Sequence, residues 1–277
     1  MPVFFRTVGA LGGPSFFLER GGKGLGGVGL SLTVAVVERP DGLCLIDTGW
    51  SRAQCAFPEE NPGRVSGAML GLSVRPEDAL ASQLISCGYD PRDVRHVLAT
   101  HAHRDHIDGV IDFPSAQLHV AEAERRTRRY GRSPALESFG RVRRFELQGP
   151  AALGFPRSED LFGDGSVLLL DASGHTPGST AVAVALEEGW LVHAGDAAMF
   201  VRDFRDDATL PLSPYMRAVS WDLARQRERY SSLRVAESEH GARVVTSHDR
   251  GCFDGLPHTR EAAWLLRGER RKGRRKG

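Results

Sequence analysis

Thr100-His101-Ala102-His103-Arg104-Asp105-His106 gathers three imidazoles and a carboxylate into six consecutive positions, directly after the apolar run Val94 to Ala99. Neutral imidazole suits zinc and similar first-row divalent ions, and a carboxylate balances their charge, so this is the donor set of a metal cage. Without a cation the same rings would repel one another whenever they protonated. Three further candidate donors follow in the chain, His175, Asp196 and His248. Seven donors exceed the three protein ligands plus water of one catalytic zinc. Two ions about 3.5 to 4 Å apart, sharing a bridging carboxylate, would use all of them. His101 and His103 project the same way from an extended segment, as residues i and i+2 do, and group with His175 on one ion. Asp105 and His106 come after the chain has turned and group with His248 on the other, leaving Asp196 as the bridge.

The chemistry of such a pair is hydrolytic. Zinc lowers the pKa of bound water from 15.7 to about 7, so a metal-bound hydroxide is available at neutral pH to attack a carbonyl polarised by the same charge. Lactone, ester and thioester opening are all this one reaction. Asp105 is the candidate catalytic residue, able to take the nucleophile's proton and pass it to the leaving group, or to act as a ligand alone. Asp47, at the end of another apolar run, is either a candidate outer partner that fixes the tautomer of a ligand imidazole or a turn-stabilising residue. Thr100 and Ser247 adjoin ligands and either orient them or cap their strands. His193 lies within a strand and reads as a packed or hydrogen-bonded histidine rather than a ligand, and His96, His119, His240 and His258 are likewise read as non-ligands.

The elements that must position these residues are legible as apolar runs and turn signals. Strands are expected over 3–8, 30–38, 43–47, 94–100, 117–120, 166–172, 180–186, 190–194 and 243–246. Pro76-Glu77-Asp78-Ala79-Leu80 opens a helix with Leu80, Leu84 and Ile85 on its apolar face, and Gly88 closes it. A charged helix is expected over 121–130 and a longer one over 221–240, while 51–75 and 131–165 read as irregular. Gly21 to Gly27 lacks the Gly-Lys-Ser/Thr ending of a phosphate loop and reads as a hairpin or lid. His175, Asp196 and His248 each fall just past the end of an apolar strand, as does the 101–106 cluster. Neighbouring strands lie only about 4.8 Å apart, so such ends converge on one edge of a sheet.

Composition sets the bounds. The 277 residues, 41% hydrophobic and 26% charged, with a formal charge of +1, suit one large globular domain with no global pull towards nucleic acid or anionic membrane. Residues 267–277 hold seven Lys/Arg against one Glu, so we read 1–266 as the hydrolase domain and 267–277 as a basic, solvated, disordered tail. Cys44, Cys55, Cys87 and Cys252 have no paired spacing and read as reduced thiols. The N-terminus lacks a signal-peptide pattern and no apolar run approaches 18 residues, so a cytoplasmic protein is expected.

Taken together, His101-Ala102-His103-Arg104-Asp105-His106, Gly174-His175-Thr176-Pro177-Gly178-Ser179, Gly195-Asp196-Ala197, Ser247-His248-Asp249 and the earlier Leu45-Ile46-Asp47-Thr48-Gly49 resemble the metallo-β-lactamase superfamily from about Leu43 to Asp249. The resemblance implies an α/β fold, a four-layer αββα sandwich, with two zinc ions along one edge. Within it, Gly88 to Val94, Phe113 to Gln117 and the Ser247-His248-Asp249 ending are similar to the N-acyl-homoserine lactonases. That branch places a tyrosine three residues after the bridging Asp, where this chain has Met199, leaving Tyr215 or Tyr230 to reach the site.

The expected partner is therefore a small-molecule lactone or ester. A glyoxalase-II-like thioesterase or a phosphodiesterase on the same scaffold is the alternative, followed by a non-catalytic protein whose tail docks to nucleic acid or membrane. A flavodiiron-like reading is disfavoured because position 103 is His rather than Glu. Substrate recognition is expected from 51–75, 131–160 and 200–220, with Phe200, Phe204, Leu210, Leu212 and Met216 either lining an acyl channel or packing the loop.

Overall fold

Successive residues along the strands are buried on opposite faces, and this decides the layering. In the computed structural model, which describes residues 2–57, 71–127, 132–206, 211–254, 256–257 and 264–265, Val34 and Val36 pack into one core while Ala35 and Val37 pack into another. Ala181 and Ala183 likewise face one way, and Val182 and Val184 the other. A strand apolar on both faces must sit between two layers. Each Val or Leu so enclosed contributes roughly 1.5–3 kcal/mol.

The strands are β1 (Pro2–Pro14), β2 (Gly27–Arg39), β3 (Gly42–Ile46), β4 (Val94–Leu98), β5 (Gln117–Ala121), β6 (Val142–Phe145), β7 (Ser158–Asp160), β8 (Val167–Asp171), β9 (Thr180–Leu186), β10 (Gly189–His193), β11 (Arg243–Val245) and β12 (Trp264–Leu265). Among the described residues they form a seven-stranded sheet, β12-β1-β2-β3-β4-β5-β6, and a five-stranded sheet, β11-β10-β9-β8-β7. Phe5, Val37, Ile46 and Leu98 from the first sheet meet Leu169, Val182, Leu191 and Val245 from the second in the core between them. The helix Leu80–Ser86 covers the outer face of the first sheet, and the helix Leu223–Ser238 covers that of the second through Tyr230, Leu233 and Ala236. Helices therefore flank two facing sheets, as the αββα reading expects.

Strand pairs β3–β4 and β10–β11 are parallel, so the segments leaving them exit together. The two sheets are tied at this edge by backbone hydrogen bonds. Thr180 N–H donates to the Thr100 carbonyl (2.7 Å), while Ser31 and Thr33 N–H donate to the His248 and Ser247 carbonyls (both 3.1 Å).

Some local expectations need correction. The charged helix expected over 121–130 is a single 3₁₀ turn, Glu122–Arg126, because Glu124 turns inward and is fully buried; residues 128–131 lie outside the described residues. The segment 131–165 contains β6, β7 and the short helix Ala135–Ser138. Arg52–Ala56 is helical within 51–75, and Gly21–Gly27 belongs to the connection that pairs Pro14 with Gly27 across the β1–β2 hairpin. Leu210, His258 and the 267–277 tail lie outside the described residues. Among those described, no helix is long and apolar enough to cross a membrane.

Candidate metal centre

The chain leaving β4 turns at Thr100 and enters the short helix Arg104–Ile107, with His103 as the residue just before it. This places His101 Nε2 3.0 Å from His103 Nδ1, and His175, just past β8, brings its Nε2 to 3.1 Å from the same His103 atom. The rings cross nearly at right angles, 78° for His101–His103 and 88° for His103–His175. His103 Nδ1 cannot make good hydrogen bonds to two imidazole nitrogens that must both point their ligand lone pairs at one place. Tetrahedral zinc with Zn–N bonds of about 2.0–2.1 Å sets neighbouring nitrogens roughly 3.3 Å apart, close to this spacing.

A second group forms beside it from Asp105, His106 and His248, whose donor atoms lie within 4.8 Å of one another. Asp196 stands between the two. Its Oδ2 is 3.3 Å from His175 Nε2 and 3.9 Å from His101 Nε2, while its Oδ1 is 3.2 Å from His248 Nε2 and 3.5 Å from His106 Nε2. One carboxylate thus turns one oxygen to each group. His106 Nε2 is buried without a hydrogen-bond partner, a costly state for a polar atom unless something else binds it. The donor set fits two divalent ions.

The surroundings hold these rings in place. Asp47, 1% exposed and in the left-handed region at φ 61°, accepts from Thr100 N–H and Thr100 Oγ1 (both 2.8 Å) and from His106 Nδ1 (2.7 Å). A carboxylate can only accept, so Nδ1 of His106 carries a proton and Nε2 is the nitrogen turned towards the cluster. The strained backbone costs about 1–3 kcal/mol, which the three buried bonds to a charged group offset. His248 Nδ1 is fixed in the same manner by the Ser31 carbonyl (2.8 Å), and Thr100 Oγ1 lies 3.1 Å from His101 Nδ1. Gln226 Nε2 donates to the Asp196 and Ala197 carbonyls (3.0 and 2.7 Å), steadying the turn that presents Asp196. That turn needs Gly195, at φ +54°, because a Cβ there would come 2.7 Å from the Thr100 Cβ.

Burial, with the neighbouring rings, holds the imidazole of His101 well below its ordinary pKa, and burial brings His175 down to about 3 and lowers His103. These three are neutral donors. Burial also pulls His106 down, but the carboxylates of Asp196, Asp47 and Asp105 outweigh it and push it up to about 10; His248 is raised similarly by Asp196. Asp196 is held well below the usual carboxylate range: burial raises it, and His248, His106 and His101 more than reverse this.

All seven expected donors, His101, His103, Asp105, His106, His175, Asp196 and His248, therefore meet at one edge of the sandwich, with Asp47 directly behind. His193 is fully buried in β10 outside both groups, its Nδ1 accepting from Gly195 N–H (3.4 Å). Met199 is fully buried in the core under the long helix, along with Phe200, Phe204, Leu212 and Met216. These side chains pack the loop. Tyr230 points into the same core. Tyr215, with its ring edge-on to Phe17 (5.7 Å) and packed against the same core, has its pKa raised by burial first and then by the charges of Asp105 and Asp196. Glu124 and Gln226 were not foreseen. Both lie in charged stretches where nothing separates an inward-facing residue from its exposed neighbours, and the Ser31 contact is a backbone atom with no side-chain signature.

The model of the metallo-beta-lactamase superfamily matches residues 27–236. The "Probable metallo-hydrolase" of Mycobacterium tuberculosis is 37% identical over 187 residues, 62% of this chain and 58% of that protein. The match thus spans less than two thirds of that relative's length. An N-acyl homoserine lactonase, AttM of Azorhizobium caulinodans, is 28% identical over 221 residues, covering 77% of this chain and 80% of its own. The solved structure of an N-acyl homoserine lactone hydrolase, with N-hexanoyl-L-homoserine at its catalytic metal centre, superposes with a TM-score of 0.74 over 90% of this chain and 94% of the other at 17% identity, a likeness of fold.

Proposed function

The chain belongs to the metallo-β-lactamase superfamily, and from that premise we propose that it is a dinuclear-metal hydrolase that opens a lactone or related ester. The observation that carries this reading is Asp196, whose two oxygens lie 3.3 and 3.2 Å from imidazoles of two separate groups. His101, His103 and His175 would hold the first ion and Asp105, His106 and His248 the second, with Asp196 offering one oxygen to each. Zinc is the favoured metal because five imidazoles and two carboxylates match its borderline softness. Bound there, two such ions supply an acidified water as nucleophile and a positive surface that polarises the carbonyl.

The protein's own groups do the rest. Asp47 fixes the proton of His106 on Nδ1, and the Ser31 carbonyl does the same for His248, so both rings keep a fixed aim. Asp105 is 22% exposed where Asp196 is 4%, so it is the carboxylate of the pair that can reach substrate and carry a proton to the leaving alkoxide. Tyr215, acting from the helix Pro214–Val219, orients the substrate carbonyl in place of a residue at Met199. The relationship to AttM across 77% of the chain supports a lactone over a thioester or phosphodiester. We place the enzyme in the cytoplasm, in keeping with four free thiols. Residues 1–266 are the hydrolase domain, and the 267–277 tail is not needed for turnover.

The test is a panel of acyl-homoserine lactone, thioester and phosphodiester substrates assayed with the metal-loaded protein. The lactone should be turned over with the highest kcat/KM, with little dependence on salt. A phosphodiester preferred by tenfold or more, falling steeply with salt, would replace this reading.

A further inference from the structure

The first group of imidazoles is assembled from two sheets, and something must hold the two loops in register. His101 and His103 ride on the segment leaving β4 of the larger sheet, while His175 rides on the segment leaving β8 of the smaller one. Glu124 lies between these loops with no exposed surface. Its Oε2 accepts from the N–H of Ala102, the residue between His101 and His103, at 2.8 Å, and from Thr127 Oγ1 at 2.8 Å. Its Oε1 accepts from Gly178 N–H at 2.9 Å and from Thr176 Oγ1, both in the His175 loop. A Cβ at Gly178 would come within 2.8 Å of that same Oε1, so glycine is required for the loop to approach so closely.

We infer that Glu124 is a positioning residue for the first metal position alone, clamping the His101/His103 loop to the His175 loop. The inference rests on the dinuclear reading above. Among the described residues, four hydrogen-bond donors and no cation meet the carboxylate, so the groups it aligns are the ones that satisfy its negative charge. The second group is supported elsewhere: Asp47 holds His106, and the Ser31 carbonyl holds His248. No hydrogen bond joins Glu124 to either of these. The two metal positions therefore have separate supports, and one can be loosened without the other.

Glu124→Gln changes this locally, because an amide turns a donor towards two of the four donors. In equilibrium dialysis against Zn²⁺, with Co²⁺ absorption as a second readout, wild type should bind about two ions per chain. Glu124→Gln should bind one with wild-type affinity and the other about 10- to 100-fold more weakly, the scale of losing an outer partner. Adding Glu124→Gln to His248→Ala should then abolish the remaining tight binding, whereas adding it to His175→Ala should change nothing. Thr176→Val, which removes one donor and keeps the carboxylate, should weaken the same position by a smaller factor, and it decides the matter if Glu124→Gln does not fold. Wild type binding two ions while folded Glu124→Gln, or folded Thr176→Val in its place, binds both with unchanged affinity would overturn the role of Glu124, as would equal weakening of both positions. Wild type binding fewer than two would instead overturn the dinuclear reading.

Discussion

The two ends of β3 each carry a histidine and carboxylate group, and only one of them makes a cage. At its far end Asp41 meets His96 Nε2 at 3.1 Å, His96 Nδ1 meets His119 Nε2 at 3.1 Å, and Arg143 lies 3.5 Å from His119 Nδ1. These groups form a line in which each ring nitrogen has a different neighbour, so ordinary hydrogen bonds satisfy them. At the near end, past Ile46, nitrogens from His101, His103 and His175 crowd together while both oxygens of Asp196 look outward to opposite groups. Residue type is common to both ends. Convergence of lone pairs on a shared point is what differs.

The strongest way to break the contrast is to remove Asp196. Asp196→Ala should cut lactone turnover by more than about 100-fold, beyond the loss expected from an outer partner, while the equivalent loss at the far end, His96→Asn, should leave kcat/KM within about twofold. A steady-state assay of both variants reads this. Asp47→Asn should fall between, weakening metal binding by about 10- to 100-fold with kcat recovered at high metal concentration. Tyr215→Phe should lower kcat/KM by roughly tenfold with metal content unchanged, because the proposed role of its hydroxyl is a single hydrogen bond to the substrate.

The smallest effect belongs to the far end and appears in stability. His119 is buried, and burial first, then His96 and Arg143, bring its pKa from 6.5 to about 3. The unfolded chain therefore takes up a proton before the folded one does. Stability from this residue is full above pH 6.5 and is lost as pH falls towards 3. Urea unfolding at pH 8 and pH 5 should show wild type losing on the order of 1 kcal/mol more than His119→Gln on acidification.

The near end was largely legible in the sequence, because its side chains are chemically uncommon and each follows an apolar strand. His101, His103, Asp105, His106, His175, Asp196 and His248 lie together as three overlapping sets, His101/His103/His175, His101/His106/Asp196 and Asp105/His106/His248. What lay beyond reading is how the donors are supported. Glu124 sits in Ala121-Glu122-Ala123-Glu124-Arg125-Arg126, where burial of one glutamate depends on a loop more than fifty residues away. The strand Val142–Phe145 was hidden for a related reason: Arg143 and Arg144 break the apolar run, although both pair in the fold with Glu159 and Glu122. Local pattern sees a charge and cannot see its partner.

The central claim is that two divalent ions sit where Asp196 divides its oxygens, and metal content of the purified protein tests it most directly. Elemental analysis after dialysis should find about two divalent ions per chain in wild type and fewer than one tightly bound in Asp196→Ala, with turnover lost on chelation and restored by Zn²⁺. A chelated, metal-free sample that retained full hydrolytic activity would contradict the account.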